Sequence, residues 1–211
     1  MRLFRFCPFL ILLVLLTHCD KPAAKRQWRL FDAPHAAAWK SAGVVGEGKS
    51  ALVDGELTLS TGEPMTCMRM EAFQAPAFPT QRYRIEFETM RTEGADFFGS
   101  LTFPVRGRDH LTLILGGWGG SLVGLSSIDG EDASNNSTRG NLDFVNGRWY
   151  RVKIELRDEE VQVWIDGRLY VNTNLRGREA SLRPGDIESC RPLGFATYLS
   201  ACRVRGLVVE D

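Results

Sequence analysis

The stretch from Trp149 to Val171 constrains the fold of this chain more than any other segment. Apolar and polar residues alternate along it, which is typical of strands with one buried face. A polar turn at 157–160 lets Leu156 face Val161 across the hairpin and keeps both apolar sets on one side. We therefore expect an antiparallel meander whose buried face carries Tyr150, Val152, Ile154, Leu156, Val161, Val163 and Ile165.

The dipeptide Asp166-Gly167 is a strong hairpin signal at the end of this meander. A two-residue loop would turn Leu169 to the polar face. A three-residue loop, with Gly167 at positive φ, would keep Leu169 and Val171 on the apolar face. We therefore predict a bulged three-residue turn.

Short segments of the same kind recur along the 211 residues, and no long helical pattern interrupts them. Glycine, proline and Asp-Gly turns separate the segments, a pattern that favours an all-β, two-sheet antiparallel sandwich. The predicted strands lie at 28–31, 51–53, 56–60, 66–70, 83–90, 97–105, 111–115, 122–128, 193–198 and 204–209, in addition to the meander.

Residues 1–19 form a separate segment with two arginines followed by an unbroken apolar run at 9–16. This pattern indicates a secretory signal that is too short to span a bilayer. Its end resembles a bacterial lipoprotein signal with lipidation at Cys19, and an ordinary cleaved signal or an uncleaved anchor are the alternatives. We expect residues 20–27 to be a tether and residues 28–211 to be one domain. The protein would then lie outside the cytoplasm, in the periplasm or at the cell surface, and contact the membrane through a lipid anchor.

Charge and cysteine content limit the class of protein. The 26 basic residues equal the 26 acidic ones, so composition does not support a nucleic-acid partner. Beyond the signal, three cysteines allow three possible single disulfides with one thiol left over, or three buried free thiols. These cysteines are Cys67, Cys190 and Cys202.

The order of several strand-like stretches resembles that of the concanavalin A-like lectin/glucanase superfamily. These stretches are YRIEFETM, then WYRVKIEL and VQVWIDGRLYV, then PLGFATYLSACRVRGLVV, and the V-x-V-x-I-D-G turn among them is laminin-G-like. It is also similar to the bacterial 3-keto-disaccharide hydrolase domain, which is described as family-16-like. The resemblance covers residues 28–211. It implies a jelly-roll sandwich with one concave face and a carbohydrate ligand or substrate on that face or at its rim.

Candidate catalytic groups are sparse. Retaining glucanases of family 16 place carboxylates on one strand face, where their short separation suits double displacement. Glu86 and Glu88 share a face in this way, but Met90 and Arg91 stand where a third carboxylate would be. We therefore do not expect that mechanism, and exposed strand carboxylates are the simpler interpretation. A hydrolase would draw its catalytic groups from Glu86, Glu88, Asp96 and His110.

The tryptophans are the stronger ligand-binding candidates, because sugar C–H faces stack on indole rings. Trp118 lies in a glycine loop that we take to be flexible, where a core position is hard to reach. Trp164 and Trp149 fall on the polar face of the meander, where they could bind a sugar or simply pack under a neighbouring segment. Side chains that could bond to sugar hydroxyls beside Trp164 are Arg84, Glu86, Lys153 and Gln162.

The oxygen-rich loop from Asp129 to Asn136 could hold calcium or could be only solvated. No other cofactor is indicated. Three functions remain open from the sequence: an extracytoplasmic carbohydrate-binding lipoprotein, a hydrolase or lyase acting on glycosidic bonds of (3-keto-)disaccharides, and a non-catalytic adhesion or scaffold domain.

Overall fold

The computed structural model describes residues 25–211. The predicted signal at 1–19, the lipidation at Cys19 and most of the tether lie outside the described residues and stay predictions. Within residues 25–211, no helix is long and apolar enough to cross a membrane.

Fifteen strands make up about half of the described chain. They are β1 (Gln27–Arg29), β2 (Trp39–Ser41), β3 (Ser50–Val53), β4 (Glu56–Leu59), β5 (Met65–Met70), β6 (Tyr83–Gly94), β7 (Ser100–Arg106), β8 (Asp109–Gly116), β9 (Leu122–Ser126), β10 (Gly140–Asn141), β11 (Tyr150–Arg157), β12 (Glu160–Ile165), β13 (Arg168–Asn174), β14 (Gly194–Tyr198) and β15 (Ser200–Glu210). Single turns of 3₁₀ helix occur at Ala36–Ala38 and Asp186–Cys190, and a tight turn occupies Gly117–Gly120.

The strands form two antiparallel sheets that pack face to face. The first sheet has the order β13-β12-β11-β6-β15-β4-β3, with β1 pairing to β15. The second sheet has the order β10-β9-β8-β7-β14-β5-β2. This confirms the predicted all-β, two-sheet antiparallel jelly-roll sandwich.

The core lies between the two sheets because each strand turns its alternate apolar residues inward. Phe87 on β6 and Phe195 on β14 meet across this layer with ring centroids 5.0 Å apart. Tyr150 and Phe103 are fully buried in the same core. The register predicted for the meander is confirmed, since Leu156 pairs with Val161 in the β11–β12 hairpin.

The turn after β12 differs from the prediction. Asp166 and Gly167, at φ 49° and 80°, form a two-residue loop, and Trp164 pairs with Leu169. The irregularity lies inside the strand pair, so that Val163 still faces Val171. Leu169 is consequently on the outer face and 45% exposed. The prediction of a three-residue turn was wrong, because two consecutive residues at positive φ already match the twist of the two strands. The extra residue lies in the β12–β13 strand pair and not in the turn.

The structure also decides among the cysteine pairings. Cys67 on β5 is bonded to Cys190, 123 residues further along the chain. Cys202 is a free, buried thiol. Burial raises the pKa of the Cys202 thiol to about 12.

Candidate functional site

An open cavity of about 410 Å³ lies on the outer face of the second sheet. Three segments that connect strands wall it in, and the sheet forms its floor. The residues that line it are Met65, Asp96, Phe97, Thr112, Ile114, Trp118, Ser126, Arg183, Pro184, Asp186, Ile187 and Tyr198.

Strand alternation produces the floor. On β8, Leu113 and its odd-numbered neighbours enter the core, so Thr112 and Ile114 point to the outer face. The Thr112 hydroxyl lies 2.9 Å from that of Thr102 on β7, and the Ser126 hydroxyl accepts the Ala133 N–H. The floor hydroxyls therefore already have partners within the protein, and the walls supply the free polar groups.

The Trp118 turn is held tightly by its surroundings. A Cβ on Gly117 would lie 2.7 Å from Ile114 Cγ2, and a Cβ on Gly120 would lie 2.8 Å from the Ala95 carbonyl oxygen. Trp118 itself has φ 48°, a region that costs free energy for a residue with a side chain. The loop is therefore sterically tight rather than flexible, and it holds an indole that is 44% exposed at the cavity.

One wall is the connection between β6 and β7. The Asp96 N–H donates to the Ser200 hydroxyl at 3.0 Å, and the Phe97 N–H donates to Asp96 Oδ1 at 2.7 Å. Behind them, the buried Arg91 guanidinium donates to the Asp96 carbonyl at 3.3 Å. The Phe97 ring lies 5.5 Å from the Tyr198 ring. This wall thus offers an aromatic pair next to a carboxylate.

The opposite wall is residues 182–189, which we name the strap. The Arg183 guanidinium lies 5.8 Å from the Trp118 ring centroid and 3.4 Å from Asp132 Oδ2. Asp186, on the same wall, has no salt bridge among residues 25–211, and neither does Asp96 across the cavity. Both acidic residues therefore line the cavity without a salt bridge, although the Arg91 guanidinium lies behind Asp96.

Most of the predicted site residues lie on the other side of the molecule. Glu86, Lys153 and Trp164 occupy neighbouring strands on the outer face of the first sheet. Lys153 Nζ lies 3.6 Å from the Trp164 ring centroid. The other predicted residues on this face are Arg84, Glu88 and Gln162.

The predicted catalytic carboxylates on this face form ion pairs with neighbouring arginines. Glu86 pairs with Arg84 at 3.1 Å, and Glu88 accepts from Arg205 at 2.8 Å. Trp149 packs under the same arginine, whose guanidinium carbon is 4.0 Å from the indole centroid. This arrangement agrees with a solvated strand face and with a packing role for Trp149.

The remaining predicted site residues are on the side of the second sheet, but they do not share one site. Asp96 and Trp118 line the cavity, whereas His110 lies on the outer face of the second sheet outside the cavity lining. His110 Nδ1 is 2.8 Å from the Arg108 carbonyl. Burial, reinforced by Arg191, lowers the pKa of His110. The structure therefore does not bring Glu86, Glu88, Asp96 and His110 together.

The calcium site considered for residues 129–136 does not assemble. The Asp129 carboxylate accepts from Arg178 and from the Glu179 N–H, and these hydrogen bonds lower its pKa. The Asn136 oxygen accepts from Thr138. Residues 25–211 contain no cluster of three or more His, Cys, Asp or Glu side chains that could bind a metal ion.

Sequence reasoning missed most of the cavity. Phe97 and Tyr198 were assigned to strands without a role, although the alternation in PLGFATYLS does place Tyr198 opposite to the buried Phe195. Arg183, Asp186 and Ile187 fall in an irregular segment that carries no periodicity, so no local signal could have selected them.

No protein-family model and no curated protein matches the sequence. Solved structures do share the fold. Carbohydrate-binding module CBM66 from Bacillus subtilis is 11% identical with a TM-score of 0.53, over 82% of this chain and 96% of that one. The Crh5 transglycosylase without ligand is 11% identical with a TM-score of 0.57, over 90% of this chain and 84% of that one.

Domain 4 of AbnA, a GH43 extracellular arabinanase from Geobacillus stearothermophilus, was solved with arabinotriose. It is 12% identical with a TM-score of 0.50, over 82% of both chains. At these identities the likeness shows the fold alone. The chain thus has a β-sandwich fold that is also found in carbohydrate-binding and carbohydrate-active domains.

Proposed function

We propose that this protein binds carbohydrate in the cavity on the second sheet, and that it does so outside the cytoplasm as a lipoprotein anchored through Cys19. The observation that carries the proposal is Trp118, which a strained turn holds at an open cavity beside the Phe97–Tyr198 pair. Strain of this kind concentrates at ligand-binding positions.

The chemistry of the cavity suits a sugar better than a wholly apolar ligand. Indole, phenyl and phenol rings can stack on the C–H faces of a pyranose or furanose ring. Asp96 and Asp186 can accept hydrogen bonds from hydroxyl groups on either side of such a ring. The structural neighbours support this proposal, since CBM66 is a carbohydrate-binding module and the Crh5 transglycosylase was also solved in complex with NAG.

Replacement of one tryptophan tests the proposal. The described domain, residues 25–211, is screened on a glycan array, and the dissociation constant of the best oligosaccharide is measured by calorimetry. Trp118→Ala should weaken binding by roughly 10-fold or more, because stacking on one aromatic ring contributes about 0.5–1.5 kcal/mol beyond its buried area. Trp164→Ala, on the first sheet, is the matched control and should bind like the wild type.

Two results would contradict this site. If Trp164→Ala loses affinity and Trp118→Ala does not, the sugar binds on the first sheet. If no glycan binds to the wild type, the non-catalytic adhesion or scaffold function becomes the better explanation.

A second candidate function is cleavage of the glycosidic bond of (3-keto-)disaccharides in the same cavity, by a hydrolase or a lyase reaction. The specific observation in its favour is that Asp96 and Asp186 both line the cavity, since glycoside hydrolysis commonly uses two carboxyl groups. Incubation with 3-keto-glucosides should then release sugar, and Asp96→Asn should abolish the release while Glu86→Gln leaves it unchanged. Retained binding without turnover would eliminate this candidate.

A further inference from the structure

The strap, residues 182–189, depends on few attachments to the sheets. Among the described residues, no backbone hydrogen bond joins it to a strand. The backbone bonds that involve it are local, from the Glu188 N–H to the Gly185 carbonyl and from the Arg191 N–H to the Glu188 carbonyl. Arg183 does form an ion pair with Asp132, but the Arg183 side chain is 59% exposed. Exposed pairs of this kind contribute little to stability. Contacts at the two ends of the strap must therefore hold its backbone in place.

The N-terminal end is closed by a reciprocal pair. The Ser127 N–H donates to the Ser181 carbonyl at 2.6 Å, and the Ser181 N–H donates to the Ser127 carbonyl at 3.0 Å. This pair ends at residue 181. The next residues already belong to the cavity wall, so the pair cannot fix Asp186 or Ile187 several residues further on.

The C-terminal end is closed by the disulfide. Cys190 is bonded to Cys67 on β5, and both are fully buried. Arg69, two residues from Cys67 on the same strand, donates to the Ser189 carbonyl at 2.9 Å. Met65, on the same strand, lines the cavity floor. The bond thus links one strand of the floor directly to the end of the wall.

A small apolar cluster surrounds the disulfide. Val44, Met65 and Ala196 are buried against the two cysteines, and Ile187 of the strap packs on this cluster beside Tyr198 and Phe97. The side chains that line the cavity and the side chains that surround the disulfide are therefore partly the same. A displacement of Cys190 would move Ile187, and with it the neighbouring Asp186.

We propose that the Cys67–Cys190 disulfide is a positioning element for ligand binding: it holds the strap in place, and the affinity of the cavity for its ligand depends on this bond. The inference rests on the proposed function. Without the bond, the strap must lose conformational freedom each time a ligand binds, and this ordering reduces the net affinity.

The test uses the domain 25–211 with Cys67→Ala/Cys190→Ala, and Cys202→Ala as the matched control for removal of a buried cysteine. The ligand is the oligosaccharide that binds the wild type best on the array. We expect the double variant to bind it about 10-fold or more weakly, mainly through faster dissociation. Cys202→Ala should bind the oligosaccharide like the wild type once its own loss of stability is taken into account. All affinities are measured at a temperature where every variant is folded.

Hydrogen exchange and fluorescence separate positioning from general stability. In the double variant, amides at 182–189 should exchange faster than they do in the wild type while those of β8 keep their wild-type rates, and Trp118 emission should change because Arg183 leaves its ring. If the double variant does not fold, the folded wild type is reduced instead, thiol titration verifies the open bond, and the same quantities are measured.

Unchanged affinity with the bond open would overturn the proposal, and so would lost affinity with unchanged exchange at 182–189. If no glycan binds to the wild type, the proposed function fails by itself. Exchange at 182–189 and Trp118 emission then decide whether the disulfide positions the strap.

Discussion

At the residue scale, the cavity depends on backbone conformations and close contacts that few side chains permit. Gly117 and Gly120 stand where any Cβ would collide with Ile114 or with the Ala95 carbonyl. The turn between them leaves Trp118 at positive φ. The glycines therefore have a steric role, and the tryptophan is the one large side chain that this turn presents to the cavity.

His110 provides a pH-dependent contribution to stability. Its pKa is lowered in the folded state, first by burial and then by Arg191. The unfolded chain therefore takes up a proton first as the pH falls below about 6.5, so stability present above that pH is lost as the pH drops toward the folded pKa. His110→Gln should make the free energy of unfolding less dependent on pH between 7.5 and 5.5, by at most about 1.4 kcal/mol per pH unit.

The measurement is urea denaturation at a series of pH values for both proteins. Parallel curves for wild type and His110→Gln would show that this ring does not titrate differently on folding.

At the element scale, the β12–β13 hairpin shows how a turn decides which residues reach a surface. Both loop residues adopt positive φ, so the loop has two residues and Leu169 joins Trp164 on the outer face. The opposite register, with Leu169 in the core, would have required the bulge to lie in the loop. Turn geometry, and not hydrophobicity, therefore placed this leucine.

Gly167→Ala should destabilise the domain by about 1 kcal/mol, because alanine at φ 80° meets steric repulsion that glycine avoids. Gly167→Asn is the matched comparison and should cost less, since asparagine tolerates the left-handed region better than alanine. Urea midpoints at constant m-value provide the measurement. Equal losses for the two variants would mean that the position is not held at positive φ.

The outer face of the first sheet illustrates a second effect of element packing. Opposite charges on adjacent strands pair across the sheet, as Glu88 does with Arg205 and Arg203 does with Glu56. These pairs occupy the carboxylates that a catalytic role would need to leave free. Cross-strand pairing is sufficient reason for the alternating charges seen in the sequence.

At the scale of the whole molecule, the cavity and the N-terminal strand lie at opposite ends of the sandwich. Arg26 pairs with Asp211 just beyond the last residue of β15, whereas Ser200 at the start of that strand bonds to Asp96 at the cavity. Eleven residues of strand span roughly 35 Å. A protein tethered through its N-terminus would therefore carry its cavity away from the membrane.

This geometry predicts that an N-terminally anchored protein binds glycan polymers in solution but not glycolipids of the same bilayer. Vesicles carrying the protein on an N-terminal lipid should capture the soluble oligosaccharide with the affinity of the free domain. They should also cross-link to separate vesicles that display the same sugar, which turbidity measures. Anchoring the protein instead through the side chain of a Val145→Cys variant, near the cavity end, should suppress both the capture and the cross-linking. Equal behaviour of the two anchored forms would contradict the predicted orientation.

The amino-acid sequence by itself determined the sandwich and most of its strands. Alternation is a local property: residues two apart face the same side of a strand, so Val152, Ile154 and Leu156 reveal their burial without any knowledge of their partners. Asp54-Gly55 and Asp166-Gly167 located hairpins for the same reason, since a tight turn is specified by its own residues. Asp96 and Trp118 could be selected by residue type, but not placed side by side.

Only the tertiary structure decided which face of which sheet holds the cavity. Asp96, Trp118, Asp186 and Tyr198 come from four segments of the chain, and the order of the strands and the course of their connections bring them to one place. Period-two alternation identifies a polar face but does not say whether a connecting segment covers it. On the outer face of the first sheet, acidic and basic side chains form ion pairs with each other, whereas the strap crosses the outer face of the second sheet. This difference arises from contacts between residues that are distant in sequence.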